Sequence, residues 1–156
     1  MKNETVVERK SERELLTTRT FNAPPHLVFE AWTNPDLFAQ WWLPKSYGMK
    51  LFSCALDVRV GSGYRLVFDD KGSPGMAFFG TYREVIPNAR IVWTNEESPD
   101  GPLTTLTLVE KNGKTLLTMH ELFPTRAACD AGFEGAAGGM PETFTQLEEF
   151  LAARIA

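Results

Sequence analysis

The chain has 156 residues, 43% of them hydrophobic, and a formal charge of -4 spread over interspersed acidic and basic residues. That length buries a core without disulfide or metal support, and the charge forms no basic stripe of the kind that neutralises phosphates, so nucleic acid is not an expected partner. Met1 to Glu14 contains no apolar h-region and nowhere do about 18 apolar residues run together, so neither export nor a membrane partner is expected and the chain reads as cytoplasmic.

Residues 1–12 read as a flexible, solvated N-terminal arm, and residues 13–156 as a single domain. Glu14 to Phe21 has the Thr-rich, partly alternating character of a first strand. Asn22-Ala-Pro24-Pro25 then supplies a helix N-terminus, and Leu27, Val28, Ala31 and Trp32 recur at helical spacing up to the breaker Asn34-Pro35. A second short helix is expected over Asp36–Trp42, with Leu37, Phe38, Trp41 and Trp42 as its apolar face and Pro44 as its end.

From there to about residue 122 the turn signals come at the spacing of an antiparallel sheet: Gly61-Ser-Gly63, Asp69 to Gly72, Pro87-Asn88, Pro99-Asp-Gly101 and Lys111 to Lys114. Strands are expected near 50–60, 63–69, 77–86, 90–96, 103–110 and 114–122, and Asn112-Gly113 accepts the positive φ values of a type I′ hairpin turn. Beyond them Thr125 can cap a helical stretch, and Phe144, Leu147, Leu151 and Ile155 form one apolar stripe behind Pro141. Gly138-Gly139 ahead of that proline should break or kink the connection.

The order implies an α+β chain: a seven-stranded, strongly curved antiparallel sheet around a long C-terminal helix, with two short helices after the first strand closing one end. Alternation points Cys54, Leu56, Val58, Tyr64, Leu66, Phe68, Leu106, Leu108, Leu117 and Met119 to the concave face. With Trp32, Trp41, Trp42, Met49, Phe79, Trp93, Phe133, Met140, Phe144 and Leu147 they make the candidate lining of a ligand cavity, and the 11 Phe, 4 Trp, 3 Tyr and 5 Met supply both core and lining.

Six stretches in this order resemble the SRPBCC (START/Bet v 1-like) superfamily, in the branch related to the C-terminal domain of the Hsp90 ATPase activator (AHSA1-type). They are Phe21 to Pro35, Trp41-Trp42, Asp57 to Gly63, Gly80 to Pro87, Arg90 to Thr94 and Gly139 to Leu151. The resemblance implies a helix-grip fold over roughly residues 13–153. It also implies one of three roles: binding of lipids or other hydrophobic small molecules, polyketide cyclase or dehydratase chemistry, or assistance to a chaperone. No N-terminal partner domain precedes the family-like stretch, which weighs against activation of Hsp90 as the leading role.

Chemistry-bearing residues are sparse. His120 and Glu121 on the last strand, with Tyr64, are the candidate proton carriers, and Tyr64 and His120 are candidate polar anchors for a ligand. Alternation opposite Leu117 and Met119 turns His120 with Thr118 to the outer face. His26, His120, Cys54 and Cys129 are too scattered for a metal site, the two cysteines are not expected to pair, and no phosphate-cradling loop or nucleophile elbow occurs, so no cofactor is expected. Asp57, Arg59 and Glu84 read as solvated pairs. The leading expectation is a binder of an apolar or aromatic small molecule. A cyclase- or dehydratase-like enzyme comes second, and an interaction module or homodimer acting through Trp41-Trp42 and the 72–79 loop comes third.

Overall fold

A computed structural model of the protein describes residues 3–155. Eight strands form a single antiparallel sheet: β1 (Val6–Ser11), β2 (Glu14–Phe21), β3 (Leu51–Leu56), β4 (Gly63–Asp70), β5 (Ser73–Ile86), β6 (Arg90–Thr94), β7 (Leu103–Lys111) and β8 (Lys114–Leu122). Their spatial order is β1-β2-β8-β7-β6-β5-β4-β3. Helices α1 (Pro25–Thr33) and α2 (Pro35–Trp41) follow β2, and α3 (Arg126–Ile155) closes the chain. This is the curved sheet, long terminal helix and pair of short helices of a helix-grip fold.

The count differs from seven because part of the expected arm over residues 1–12 is β1, which pairs with β2 as an edge strand; Met1 and Lys2 lie outside the described residues. All but Val7 of its residues are exposed, so its composition is that of a polar segment and carries no buried-face signal. The 72–79 stretch, expected as a loop, is the start of β5, with the turn confined to Lys71-Gly72. Asn112 and Gly113 adopt the two positive φ values that a type I′ turn needs.

The larger correction concerns α3, which runs unbroken through Gly138-Gly139 and Pro141. Propensity is outweighed here by anchoring at both ends. The Thr125 hydroxyl accepts the Ala128 N–H at 3.1 Å as a cap, and Phe144, Leu147 and Leu151 are each fully buried against the sheet and α1.

Sheet curvature is built from close backbone approaches and bulges. A Cβ at Gly80 would lie 1.9 Å from the Thr94 carbonyl oxygen, so only glycine allows β5 and the end of β6 to meet there. Register shifts interrupt β5 against β4 at Val67/Asp69 and against β6 at Tyr82/Glu84, bending this long strand around the helix. The main core lies between the concave face, α1, α2 and the second half of α3.

A candidate ligand cavity

The concave face is filled at one end only. Leu106, Leu108 and Leu117 of β7 and β8 pack with Val28 and Ala31 of α1 and with Phe144 and Leu147 in one buried cluster, and none of these lines the cavity. Toward β4, β5 and β6, the facing side of α3 offers Gly132, Gly135, Ala136 and Gly139, and a cavity of about 520 Å3 lies between. A Cβ at Gly135 would meet nothing within 4 Å, whereas the Phe123 ring and the Tyr47 hydroxyl close up on Gly132 and Gly139, so the gap opens where Gly135 leaves the helix face bare.

Helices α1 and α2 wall the cavity with aromatic rings. Trp32 stands 4.9 Å from Trp41 and 5.9 Å from Trp93 between ring centroids, and Phe38 stacks on Trp42 at 5.1 Å. The Trp41 indole N–H donates to the Ala31 carbonyl at 3.1 Å, whereas the buried N–H groups of Trp32 and Trp42 have no partner.

Past α2, Gln146 fixes the chain that forms the rim. Its amide N–H groups donate to the carbonyls of Trp41 at 2.9 Å and Leu43 at 2.7 Å, and its oxygen accepts the Lys45 N–H at 2.8 Å. These bonds hold Leu43 at φ 77°, a conformation costing a branched residue on the order of 1 kcal/mol or more. Leu43, Pro44 and Tyr47 thereby line the cavity.

A polar end faces this wall. The Tyr64 hydroxyl lies 2.9 Å from both the Thr94 carbonyl and Asn95 Oδ1, and can donate to one of them at a time. The Asn95 amide donates to the Pro102 carbonyl at 2.8 Å and to Thr104 Oγ1 at 2.9 Å. Thr104 is the cross-strand partner of Glu121, whose carboxyl lines the cavity and is pushed up to about 7 by burial alone. Glu97 lines the same end, with one carboxyl oxygen buried and unpartnered. Burial first, and then the neighbouring carboxylates, raise the Tyr64 hydroxyl well above its usual range, so it stays protonated.

The candidate residues separate accordingly. Trp32, Trp42, Leu56, Tyr64, Leu66, Trp93, Met119 and Met140 line the cavity. Trp41, Leu106, Leu108, Leu117, Phe144 and Leu147 do not; they belong to the packed core. Phe68 is buried edge-on against Phe78 at 5.0 Å. Phe79 lies on the outer face under Arg65, and Phe78 takes the inward place. Met49 is 43% exposed in the extended segment before β3, and Phe133 packs against the separate cluster of Leu15, Phe123, Ala128 and Cys129.

Of the candidate proton carriers, Tyr64 and Glu121 both line the cavity and His120 does not. His120 Nε2 contacts Glu14 Oε1 at 2.9 Å on the convex face, where it can neither anchor a ligand in the cavity nor serve as a proton carrier there. Trp41 is fully buried and Trp42 half-buried, so the expected exposed Trp41-Trp42 patch is absent. Sequence reasoning missed Tyr82, Asn95, Glu97 and Thr104, which also line the cavity. For Thr104 the signal was present, since it shares the inward parity of Leu106 and Leu108. Asp57 and Arg59 pair locally at 2.6 Å, and Glu84 pairs with Arg90 across the β5–β6 hairpin at 2.8 Å. Both cysteines are free, and burial raises the Cys54 thiol to about 11. Among the described residues no three metal-ligating side chains converge, and no helix is long and apolar enough to cross a membrane.

Residues 22–152 match the family model described as Activator of Hsp90 ATPase homolog 1-like protein. Among solved structures, a Rhodobacter sphaeroides protein is 27% identical with a TM-score of 0.85, covering 96% of this chain and 99% of its own. A Nitrosomonas europaea protein is 25% identical with a TM-score of 0.83, over 94% of this chain and 99% of that one. A Staphylococcus epidermidis protein is 26% identical with a TM-score of 0.80, over 96% and 94%. No curated protein matches the chain.

Proposed function

This chain belongs to the Activator of Hsp90 ATPase homolog 1-like family, and on that premise we propose that it binds an apolar or aromatic small molecule inside the grip. The observation that carries the reading is the cavity of about 520 Å3, walled by tryptophan and phenylalanine rings and carrying a few polar groups at one end. That combination of size and lining is typical of a small-molecule site. Affinity comes from apolar area removed from water, at about 25 cal/mol per Å2, and orientation from Tyr64, Asn95, Thr104 and the two carboxyls. The free cysteines fit a reducing compartment such as the cytoplasm.

Ligand-linked stabilisation is the direct test. A thermal-shift screen of apolar and aromatic compounds should raise the melting temperature in a concentration-dependent way, by the equivalent of about 2.7 kcal/mol at a hundredfold excess over Kd. A screen without a single shift, together with a crystal structure in which the α2 and rim side chains fill the space, would end this reading.

A cyclase- or dehydratase-like reaction is the second reading. It is favoured by one observation: burial pushes the Glu121 carboxyl up to about 7 in the same cavity as Tyr64, a setting in which a carboxyl can give or take a proton. Glu121 then stands alone as the proton carrier, with Tyr64 as hydrogen-bond donor, since His120 is on the other face.

A further inference from the structure

We propose that the cavity selects a hydrophobic amine, bound as a cation with its ammonium at the Glu97 and Glu121 end and its apolar body against the tryptophan wall. This rests on the cavity being a ligand site and names the class of molecule it takes.

The first support is a mismatch of donors and acceptors. At the polar end the Tyr64 hydroxyl is committed to Thr94 or Asn95, and both amide protons of Asn95 are used on Pro102 and Thr104. Among the described residues nothing donates to the Glu121 carboxyl, where burial is the sole cause of its shift, and a carboxyl oxygen of Glu97 is buried without a partner. The Thr104 hydroxyl and the unpartnered indole N–H groups of Trp32 and Trp42 are donors on the lining, but all of them are neutral, so no positive charge faces the two carboxyl groups. A cationic ligand supplies that charge.

Charge supplies the second support. Among the described residues no Lys, Arg or His lines the cavity, and its ionisable groups are Glu97, Glu121, Tyr47, Tyr64 and Tyr82. Burial keeps Tyr64 and Tyr82 protonated, so the net sign of the lining is negative or neutral. An anion is repelled there, and a neutral apolar molecule leaves both carboxyls unmatched. A protonated amine brings up to three N–H donors and a positive charge, which the ring faces of Trp32, Trp42 and Trp93 also favour.

A pH dependence follows. A bound cation favours the ionised Glu121, so amine binding should strengthen as pH rises through about 7 while the amine remains protonated. Glu97 and the three tyrosines are the other titratable groups in the cavity, none of them basic, so no competing cation is released.

The test uses three probes with one skeleton: 2-naphthylmethylamine, 2-naphthylmethanol and 2-naphthoate, titrated against the full chain by calorimetry. The amine is expected to bind at least about tenfold tighter than the alcohol near pH 8, the scale of one hydrogen bond to a charged group, with the carboxylate weakest. Near pH 6 this preference should shrink, and alcohol binding should not change. Glu97→Gln and Glu121→Gln should each reduce the preference and the double variant remove it, with an unchanged far-ultraviolet circular dichroism spectrum as the control for folding. Equal or tighter binding of the alcohol, or a preference for the carboxylate, overturns the amine assignment and leaves the cavity reading standing. Failure of all three probes to bind overturns both.

Discussion

The two halves of α3 face the same concave sheet with opposite results. From Phe144 to Leu151 the helix presents Phe144, Gln146, Leu147 and Leu151, all buried, and none of them lines the cavity. From Gly132 to Met140 it presents three glycines, Ala136 and Met140, and the space is the cavity. One unbroken helix spans both, so hollow and filled regions differ in side-chain volume and not in backbone path. The polar groups divide in the same way: the packed half hydrogen-bonds its buried Gln146 three times, whereas the hollow half leaves Glu121 unpartnered. Satisfied polar groups stabilise a fold, and unsatisfied ones beside empty space mark where something else is received.

The sharpest way to break that contrast is truncation. Phe144→Ala removes a ring that meets Phe21 edge-to-face at 5.7 Å and sits at zero exposure, and should cost about 3–5 kcal/mol in urea unfolding. Met140→Ala, on the cavity wall and only partly buried, should cost roughly 1 kcal/mol. Similar losses at both positions would mean that the cavity end is as tightly packed as the core.

The carboxyl at the hollow end should oppose folding. Glu121 moves from 4.5 to about 7 on burial, so the native state holds its proton more tightly than the unfolded chain does. Stability attributable to it is intact below 4.5, falls as pH rises toward 7 and stays lower above that, by about 3 kcal/mol. Glu14, Asp57, Glu96 and Glu142 are held below the usual carboxylate range by hydrogen bonds and tilt the profile the other way at acid pH. Comparison with Glu121→Gln cancels them. The variant should match the parent near pH 4 and exceed it by up to about 3 kcal/mol near pH 8, measured by chemical denaturation. Parallel profiles would place Glu121 in a solvated setting.

Which half is hollow was not legible in the sequence, though most of the frame was. Pro24-Pro25, Asn112-Gly113 and the strand alternation act locally and could be read residue by residue. Gly138-Gly139 was misread because a helix breaker and a cavity-facing surface have the same composition, and only packing at both ends of α3 decides between them. Phe79 was misplaced because the bulge at Tyr82/Glu84 inverts parity along β5: Val85 packs inward beyond it and Phe78 before it. Trp41 is the last residue of α2 and Trp42 its extended C-cap, so the two adjacent indoles point differently because the helix ends between them, which spacing alone does not set. His120 drew attention as a residue type, whereas Glu121, with the same inward parity as Leu117 and Met119, was the group that strand alternation placed inside.

The smallest expected effect on stability separates backbone from volume most cleanly. A Cβ added at Gly135 meets nothing within 4 Å, and the residue lines the cavity. Replacing a mid-helix glycine lowers the entropy lost on folding, so Gly135→Met should gain roughly 0.5–1 kcal/mol while placing a thioether chain where a ligand would lie. A higher melting temperature combined with weaker ligand uptake is therefore expected, a pairing that general damage to the fold cannot produce. Gly132→Ala is the counterpart, because its Cβ would sit 2.4 Å from the Phe123 ring and force that ring to move. It should lower stability, although alanine is the better helix former. Should Gly135→Met destabilise the chain, or leave probe affinity unchanged, the missing side chains of α3 would not be what holds the cavity open, and its emptiness would have to come from the sheet.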